Sequence, residues 1–198
     1  MIKAIFFDMG GVLVELNSEA EMRNFLGDMP REEIWRRWLH SPAVREHESG
    51  RMSAEEFGTV IVRELGIDAT PEAFMQSLDR WIAGPFPGAH QLLEQLSPRY
   101  RIALLTNTSA FHWQRIEATG IPQACHHVVA SFQVGMFKPD KPYFEHALAL
   151  AGVSANEVLF FDDNEINCEG ARRCGIEAYR VLGAHATAAV LRERGLID

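Results

Sequence analysis

Two hydrophobic rhythms alternate along the chain. Ile5-Phe6-Phe7, Ile102-Ala103-Leu104-Leu105 and Val158-Leu159-Phe160-Phe161 are short apolar runs without polar interruption, while His127-Val128-Val129-Ala130 and a stretch near Glu177 to Val181 read as further short strands. Runs of this kind predict strands buried on both faces, as in a parallel sheet. Between them apolar residues recur at helical spacing. Leu92, Leu93 and Leu96 mark one helix, and Tyr143, Phe144, Ala147 and Leu148 mark another, with Asp140 as its cap and Pro142 in its early turn. Helices through Ala171 and Leu191 follow the last two strands. Strands alternating with helices predict parallel pairing and right-handed crossovers.

From about Leu16 to Gly84 the pattern reads as helical throughout. Ser18 with Glu21, and Ser53 with Glu56, have the spacing of capping boxes. Ile34, Trp35, Trp38 and Leu39 repeat at helical spacing until Ser41-Pro42 breaks the run, and Phe57, Val60, Ile61 and Leu65 stop at Gly66. Thr70-Pro71 opens a helix whose inward stripe is Phe74, Leu78 and Trp81. The cluster Gly84-Pro85-Phe86-Pro87-Gly88 is a breaker and reads as a domain boundary. The fold class expected is therefore α/β: a doubly wound parallel sheet from residues 1–15 and 86–198. A helical cap, residues 16–85, is inserted after the first strand.

Composition narrows the function. Of 198 residues, 47% are hydrophobic, which supplies a real core and excludes a disordered chain. A formal charge of −8 argues against nucleic acid or an anionic membrane as the main partner. An anionic substrate is then drawn by local positive charge, not by the overall field. No apolar stretch is long enough to span a bilayer, and Met1-Ile2-Lys3 runs directly into the first strand with no room for a signal peptide. Cys125, Cys168 and Cys174 form an odd set without metal-ligand spacing, so no disulfide framework and a cytoplasmic setting are expected.

The candidate chemistry lies where the apolar runs end. Asp8 closes the first and is followed by Gly10 and Gly11; Thr106-Asn107 closes a second, Asp162-Asp163 a third. Carboxyl ends of parallel strands share one edge, where such sheets bind ligands. Lys138, in Gly135-Met136-Phe137-Lys138-Pro139, joins them from the loop after His127–Ala130. Carboxylates with a lysine and hydroxyl or amide donors make a site for a hard cation and a phosphate, and magnesium prefers such oxygen ligands. Simpler roles stand beside these: Thr106 as a helix cap, Lys138 as a surface lysine.

Taken in order, these segments resemble the four motifs of the haloacid dehalogenase superfamily, and the resemblance covers essentially the whole chain. It implies a Rossmann-like core and a phosphatase acting through an aspartyl-phosphate on a small phosphorylated metabolite. It implies Asp8 as nucleophile and magnesium ligand, the Gly10 carbonyl as a second ligand, and Asp163 as the carboxylate anchoring Mg2+, with Asp162 the alternative. Thr106, by its hydroxyl, and Asn107, by its backbone N–H, would hold the phosphoryl oxygens while Lys138 balances charge. Asn167 stands where many relatives carry a further acidic residue, so support there is expected from a hydrogen bond.

One departure matters. Most phosphatases of that family carry a second aspartate two positions after the nucleophile, as general acid and then base; here Gly10 occupies it. Losing such a group typically costs about 10²–10⁴-fold. His47 and Glu48 are candidate replacements, unless they are solvated or hold the cap together. Alternatively the substrate has a good leaving group, such as the anomeric oxygen of a sugar 1-phosphate. Asp8-Met9-Gly10-Gly11-Val12, His47-Glu48-Ser49-Gly50, Thr106-Asn107-Thr108, Lys138-Pro139 and Phe160-Phe161-Asp162-Asp163-Asn164 resemble a bacterial subgroup that lacks the same aspartate and includes α-D-glucose-1-phosphate phosphatase. The rivals are a metal-independent 2-haloacid dehalogenase and a non-catalytic phosphometabolite binder. Trp35, Trp38 and Trp81 are expected in the core of the cap.

Overall fold

The computed structural model describes the whole chain, residues 1–198, apart from the side chain of Arg31. Strand β1 (Ala4–Phe7) leads through Asp8 and two glycines into β2 (Val14–Leu16). Helices α1 (Ser18–Leu26), α2 (Arg31–His40), α3 (Pro42–Glu48), α4 (Ala54–Leu65) and α5 (Pro71–Asp79) follow, and β3 (Ile82–Pro85) brings the chain back. Then come α6 (Ala89–Leu96), β4 (Arg101–Thr106), α7 (Ala110–Ala118), β5 (His127–Ala130), α8 (Ser131–Val134), α9 (Lys141–Ala151), β6 (Val158–Asp162), α10 (Glu165–Arg173), β7 (Glu177–Arg180) and α11 (Gly183–Glu193).

Five strands form a parallel sheet in the order β5-β4-β1-β6-β7. Chain order reverses on either side of β1, so the crevice at its carboxyl end is the switch point where open sheets bind ligands. Both faces of the sheet are covered, which explains the unbroken apolar runs. Ile5, Phe7, Leu104 and Phe161 pack with Leu92, Leu93 and Leu96 of α6 and Leu191 of α11. Ala4, Phe6, Leu105 and Phe160 face Tyr143, Phe144 and Ala147 of α9 and Cys168 and Ala171 of α10. Each fully buried Phe or Leu contributes about 1.5–3 kcal/mol, so the sheet centre is the least deformable place to mount a site.

Helices α1–α5 enclose a cluster of their own, with Met22, Ile34, Trp38, Phe57, Ile61, Phe74, Leu78 and Trp81 buried. Ser53 and Glu56 form the capping box, Gly66 is left-handed after α4, and Thr70 caps α5. Ser18 does not cap α1: Asn17 holds that position, and Glu21 turns across to α5. There Arg80 Nη2 and Ser77 Oγ donate to Glu21 Oε2 at 2.8 and 2.6 Å, charge-assisted bonds stronger than a backbone cap. Asp140 precedes α9 without capping it, its carboxylate taken by Arg45 of α3.

The segment from Leu16 to Gly84 is not helical at its ends. Leu16 closes β2, which pairs antiparallel with β3, and Gly84-Pro85 is strand instead of breaker. A two-stranded ribbon leaves a free edge for Pro85, and neither half carries a periodic pattern of its own. Among the described residues, no helix is long and apolar enough to cross a membrane.

Candidate active site

Asp8, Gly10, Thr106, Asn107, Lys138 and Asp163, the residues singled out in the sequence, all line one cavity of about 110 Å³. Asp8 sits one position past β1 and Thr106 ends β4, so neighbouring strands place them side by side. Thr106 is paired with Ala130 in the sheet and caps no helix; α7 begins after Ser109. Asn107 ties two loops together: its Nδ2 donates to Lys138 O at 3.0 Å and its Oδ1 accepts from Lys138 N at 2.9 Å.

Lys138 is no surface lysine, being 1% exposed. Its Nζ donates to Asp8 Oδ1 at 2.7 Å, Asp162 Oδ2 at 2.8 Å and Leu105 O at 2.9 Å, so all three donors are used. Burial pulls its pKa down, but the carboxylates of Asp162 and Asp8 outweigh that and hold it above the ordinary lysine range. Burial acts oppositely on Asp8 and pushes its carboxyl well up; Lys138 opposes this, and the carboxylates of Asp162 and Asp163 reinforce it.

Asp8, Asp162 and Asp163 offer oxygens within 4.8 Å of one another, and the Lys138 ammonium donates to the first two. The protein already satisfies Asp162: besides Lys138, Asn164 N donates to Oδ1 at 2.9 Å and Asn167 Nδ2 lies 3.1 Å from both oxygens. Asn167 thus gives the hydrogen-bonding support expected of it, while its own Oδ1 is buried without a hydrogen-bond partner among the described residues. Gly11, at φ +77°, passes so close that a Cβ there would lie 2.5 Å from Asp163 Oδ2. An all-oxygen donor set of clustered carboxylates fits a divalent cation such as Mg2+.

The far wall comes from the helices and the ribbon: Leu16, Trp35, Trp38, Leu39, Trp81 and Ile82. Trp38 and Trp81 are buried, with rings 4.7 Å apart, and both also border the cavity. Sequence reasoning missed His112, which lines this wall with its Nε2 2.7 Å from Leu78 O, and Ser131, whose Oγ accepts from Thr108 N at 2.9 Å. Neither carries a motif. His112 sits among apolar helix positions, and Ser131 opens a one-turn helix that the pattern did not predict.

The fold and the site together define an α/β protein whose strand-end crevice gathers three carboxylates around a buried ammonium. The chain belongs to the haloacid dehalogenase-like hydrolases, whose family model matches residues 2–175. A phosphatase of Mycobacterium tuberculosis is 30% identical, over 91% of this chain and 87% of its own. The D-ribitol-5-phosphate phosphatase of Bacteroides thetaiotaomicron is 28% identical over 91% and 92%. An (S)-2-haloacid dehalogenase of Xanthobacter autotrophicus is 27% identical over 91% and 75%. Among solved structures, a family enzyme of Bacteroides thetaiotaomicron in complex with magnesium and inorganic phosphate superposes with a TM-score of 0.71 at 26% identity, covering 90% of this chain and 93% of that one.

Proposed function

We propose that this hydrolase is a magnesium-dependent phosphatase of a small phosphorylated metabolite, with Asp8 as nucleophile. The observation that carries the reading is the Lys138 ammonium bridging Asp8 and Asp162 at the strand ends, with Asp163 in the same cavity. Asp8, the Gly10 carbonyl and Asp163 would hold the cation. When bound, it supplies the positive charge that keeps Asp8 ionised and offsets that of the phosphoryl oxygens. Thr106 Oγ and Asn107 N donate to those oxygens, Lys138 holds the Asp8 carboxylate in place, and the aspartyl-phosphate so formed is hydrolysed by water. Residues 16–85 act as the cap that closes on the crevice and excludes bulk water.

The finer reading is a sugar phosphate such as glucose 1-phosphate. The phosphoryl group meets the polar floor while Trp35, Trp38 and Trp81 face what leaves, and the C–H face of a sugar suits an aromatic wall. An anomeric oxygen also leaves with less protonation than an alkoxide, which suits the glycine at position 10. The test is phosphate release from a panel of sugar phosphates and an aryl phosphate, with magnesium and with chelator, for the native protein and Asp8→Asn. Magnesium-dependent release that Asp8→Asn loses supports the phosphatase. No difference between the two proteins favours a binder without turnover. The apolar wall and the dehalogenase relative favour one other reading, displacement of halide from a 2-haloacid by Asp8. Chelator-insensitive chloride release from a 2-chloro acid would select it.

A further inference from the structure

Cleavage of a phosphate ester needs a proton for the departing oxygen, and Gly10 offers none. We propose that Glu48, carried in by the last turn of α3, is the general acid and then the general base of this site; the assignment rests on the phosphatase reading above. Its side chain lines the cavity with Asp8, Thr106, Asn107 and Lys138. His47, beside it in sequence, points elsewhere: its ring stacks on Phe57 at 4.2 Å and 8°, and Nδ1 lies 3.0 Å from Met52 O. The other titratable groups on the wall are committed. His112 is held by Leu78 O, while Asp8, Asp163 and Lys138 belong to the nucleophile and its cation.

Glu48 is positioned from two sides. Trp38 Nε1 donates to its Oε1 at 3.3 Å. Its backbone carbonyl lies 2.5 Å from Ser131 Oγ, and that same oxygen accepts from Thr108 N at 2.9 Å. Ser131 is fully buried, and Thr108 directly follows Thr106-Asn107. One hydroxyl thereby locks the phosphate-binding strand end to the turn that brings Glu48. Gly50 keeps this seam closed, since a Cβ there would meet Phe132 O at 2.6 Å. Burial pushes the Glu48 carboxyl up to about 7, with Trp38 and Lys138 opposing, so it can hold and release a proton near neutral pH.

The proton count closes. As Asp8 attacks phosphorus, the bond to the leaving oxygen breaks and its electron pair stays on that oxygen. The Glu48 proton goes there, giving the alcohol and a Glu48 carboxylate. Water then attacks phosphorus, Glu48 takes its proton, and the bond to Asp8 breaks to return both carboxyl groups to their starting state with hydrogen phosphate released. A wall-mounted acid extends the substrate range from sugar 1-phosphates to primary alkyl phosphates, whose alkoxides need the proton.

The test is rapid-quench measurement of the first P–O cleavage in native protein and Glu48→Gln. The probes are p-nitrophenyl phosphate, whose leaving group needs no acid, and ribitol 5-phosphate, whose leaving group does. Glutamine keeps an acceptor for Trp38 Nε1. The expected result is a loss of about 10²–10⁴-fold on ribitol 5-phosphate and under about tenfold on the nitrophenyl ester. If Glu48→Gln does not fold, Glu48→Asp, which retracts the acid, is read by the same selectivity. Equal loss on both probes, or none on either, overturns the assignment while leaving the phosphatase standing. Absence of magnesium-dependent cleavage in the native protein on any phosphate ester removes the phosphatase reading and this assignment with it.

Discussion

Lys138 Nζ lies 2.7 Å from Asp8 Oδ1 across 130 positions of sequence, and 2.8 Å from Asp162 Oδ2 on its other side. Both carboxylates are almost out of water, and although Asn164 N and Asn167 Nδ2 also donate to Asp162, the Lys138 ammonium is the full positive charge that the two share.

Lys138→Met should therefore cost stability as well as turnover. Removing one partner of a buried ion pair typically costs about 3–5 kcal/mol, because the remaining charges stay buried. For a chain of this size each kcal/mol moves the melting temperature by about 2–4 °C, so a fall on the order of 10 °C is expected by calorimetry. A shift under about 2 °C would show that Asp8 and Asp162 find compensation elsewhere.

Asp8→Asn separates binding from chemistry. The amide keeps the shape of the carboxylate but cannot attack phosphorus, while Thr106, Asn107 N and Lys138 stay in place. Turnover should vanish, and titration calorimetry with inorganic phosphate and magnesium should give an affinity within about tenfold of the native protein, less than 1.4 kcal/mol. Affinity lost together with activity would mean that Asp8 chiefly holds the ligand.

The cation can be checked without any assay of activity. Magnesium at about 100 times its dissociation constant should stabilise the native protein by about 2.7 kcal/mol, seen as a rise in melting temperature. Asp163→Asn should flatten that response, because Asp162 is already engaged by Lys138, Asn164 N and Asn167. An unchanged response would transfer the metal role to Asp162.

How much of this could be read from the sequence depended on the range of the cause. The central strands β1, β4 and β6 were legible because burial on both faces leaves an unbroken apolar run, and Asp8 or Asp163 then marks a strand end with no long-range information. The β2–β3 ribbon was not, since its pairing joins Val14–Leu16 to Ile82–Pro85 across five helices. Ser18 and Asp140 failed as caps for a related reason. Each local motif was correct in form, but partners distant in sequence, Arg80 and Ser77 for Glu21 and Arg45 for Asp140, offered the carboxylates stronger bonds. Ser131 and His112 carry no pattern, because what makes them matter is which loop and which wall they touch.

The adjacent glycines should answer differently to one added methyl group. At Gly10 a Cβ meets the Leu16 side chain, with Cδ1 nearest at 2.7 Å, the far end of a side chain that can rotate away. At Gly11 it meets Asp163 Oδ2 at 2.5 Å, from a backbone at φ +77°. Gly10→Ala should cost under about 1 kcal/mol, whereas Gly11→Ala should cost about 1–3 kcal/mol from the left-handed backbone and displace Asp163 as well. Gly10→Asp should fold for the same reason as Gly10→Ala and, in a Glu48→Gln background where no other acid serves the leaving oxygen, should raise the rate on alkyl phosphates more than on sugar 1-phosphates. Equal gains on the two classes would mean that protonation of the leaving group limits neither.

Glu48 gives a pH signature in stability alone. Its carboxyl is raised from 4.5 to about 7 by burial, so the folded state holds the proton more tightly than the unfolded chain does. A group raised in this way stabilises the fold fully below its unfolded pKa, and that contribution disappears as pH rises through the folded one. Relative to Glu48→Gln, which does not titrate, the native protein should lose stability between about pH 4.5 and pH 7 and level off above. The amount is on the order of 1–3 kcal/mol, discounted for the part of the side chain that meets solvent. Denaturant melts of the two proteins across that range measure it. Parallel curves would place the Glu48 carboxylate in contact with water and take away the physical basis for a proton held near neutrality.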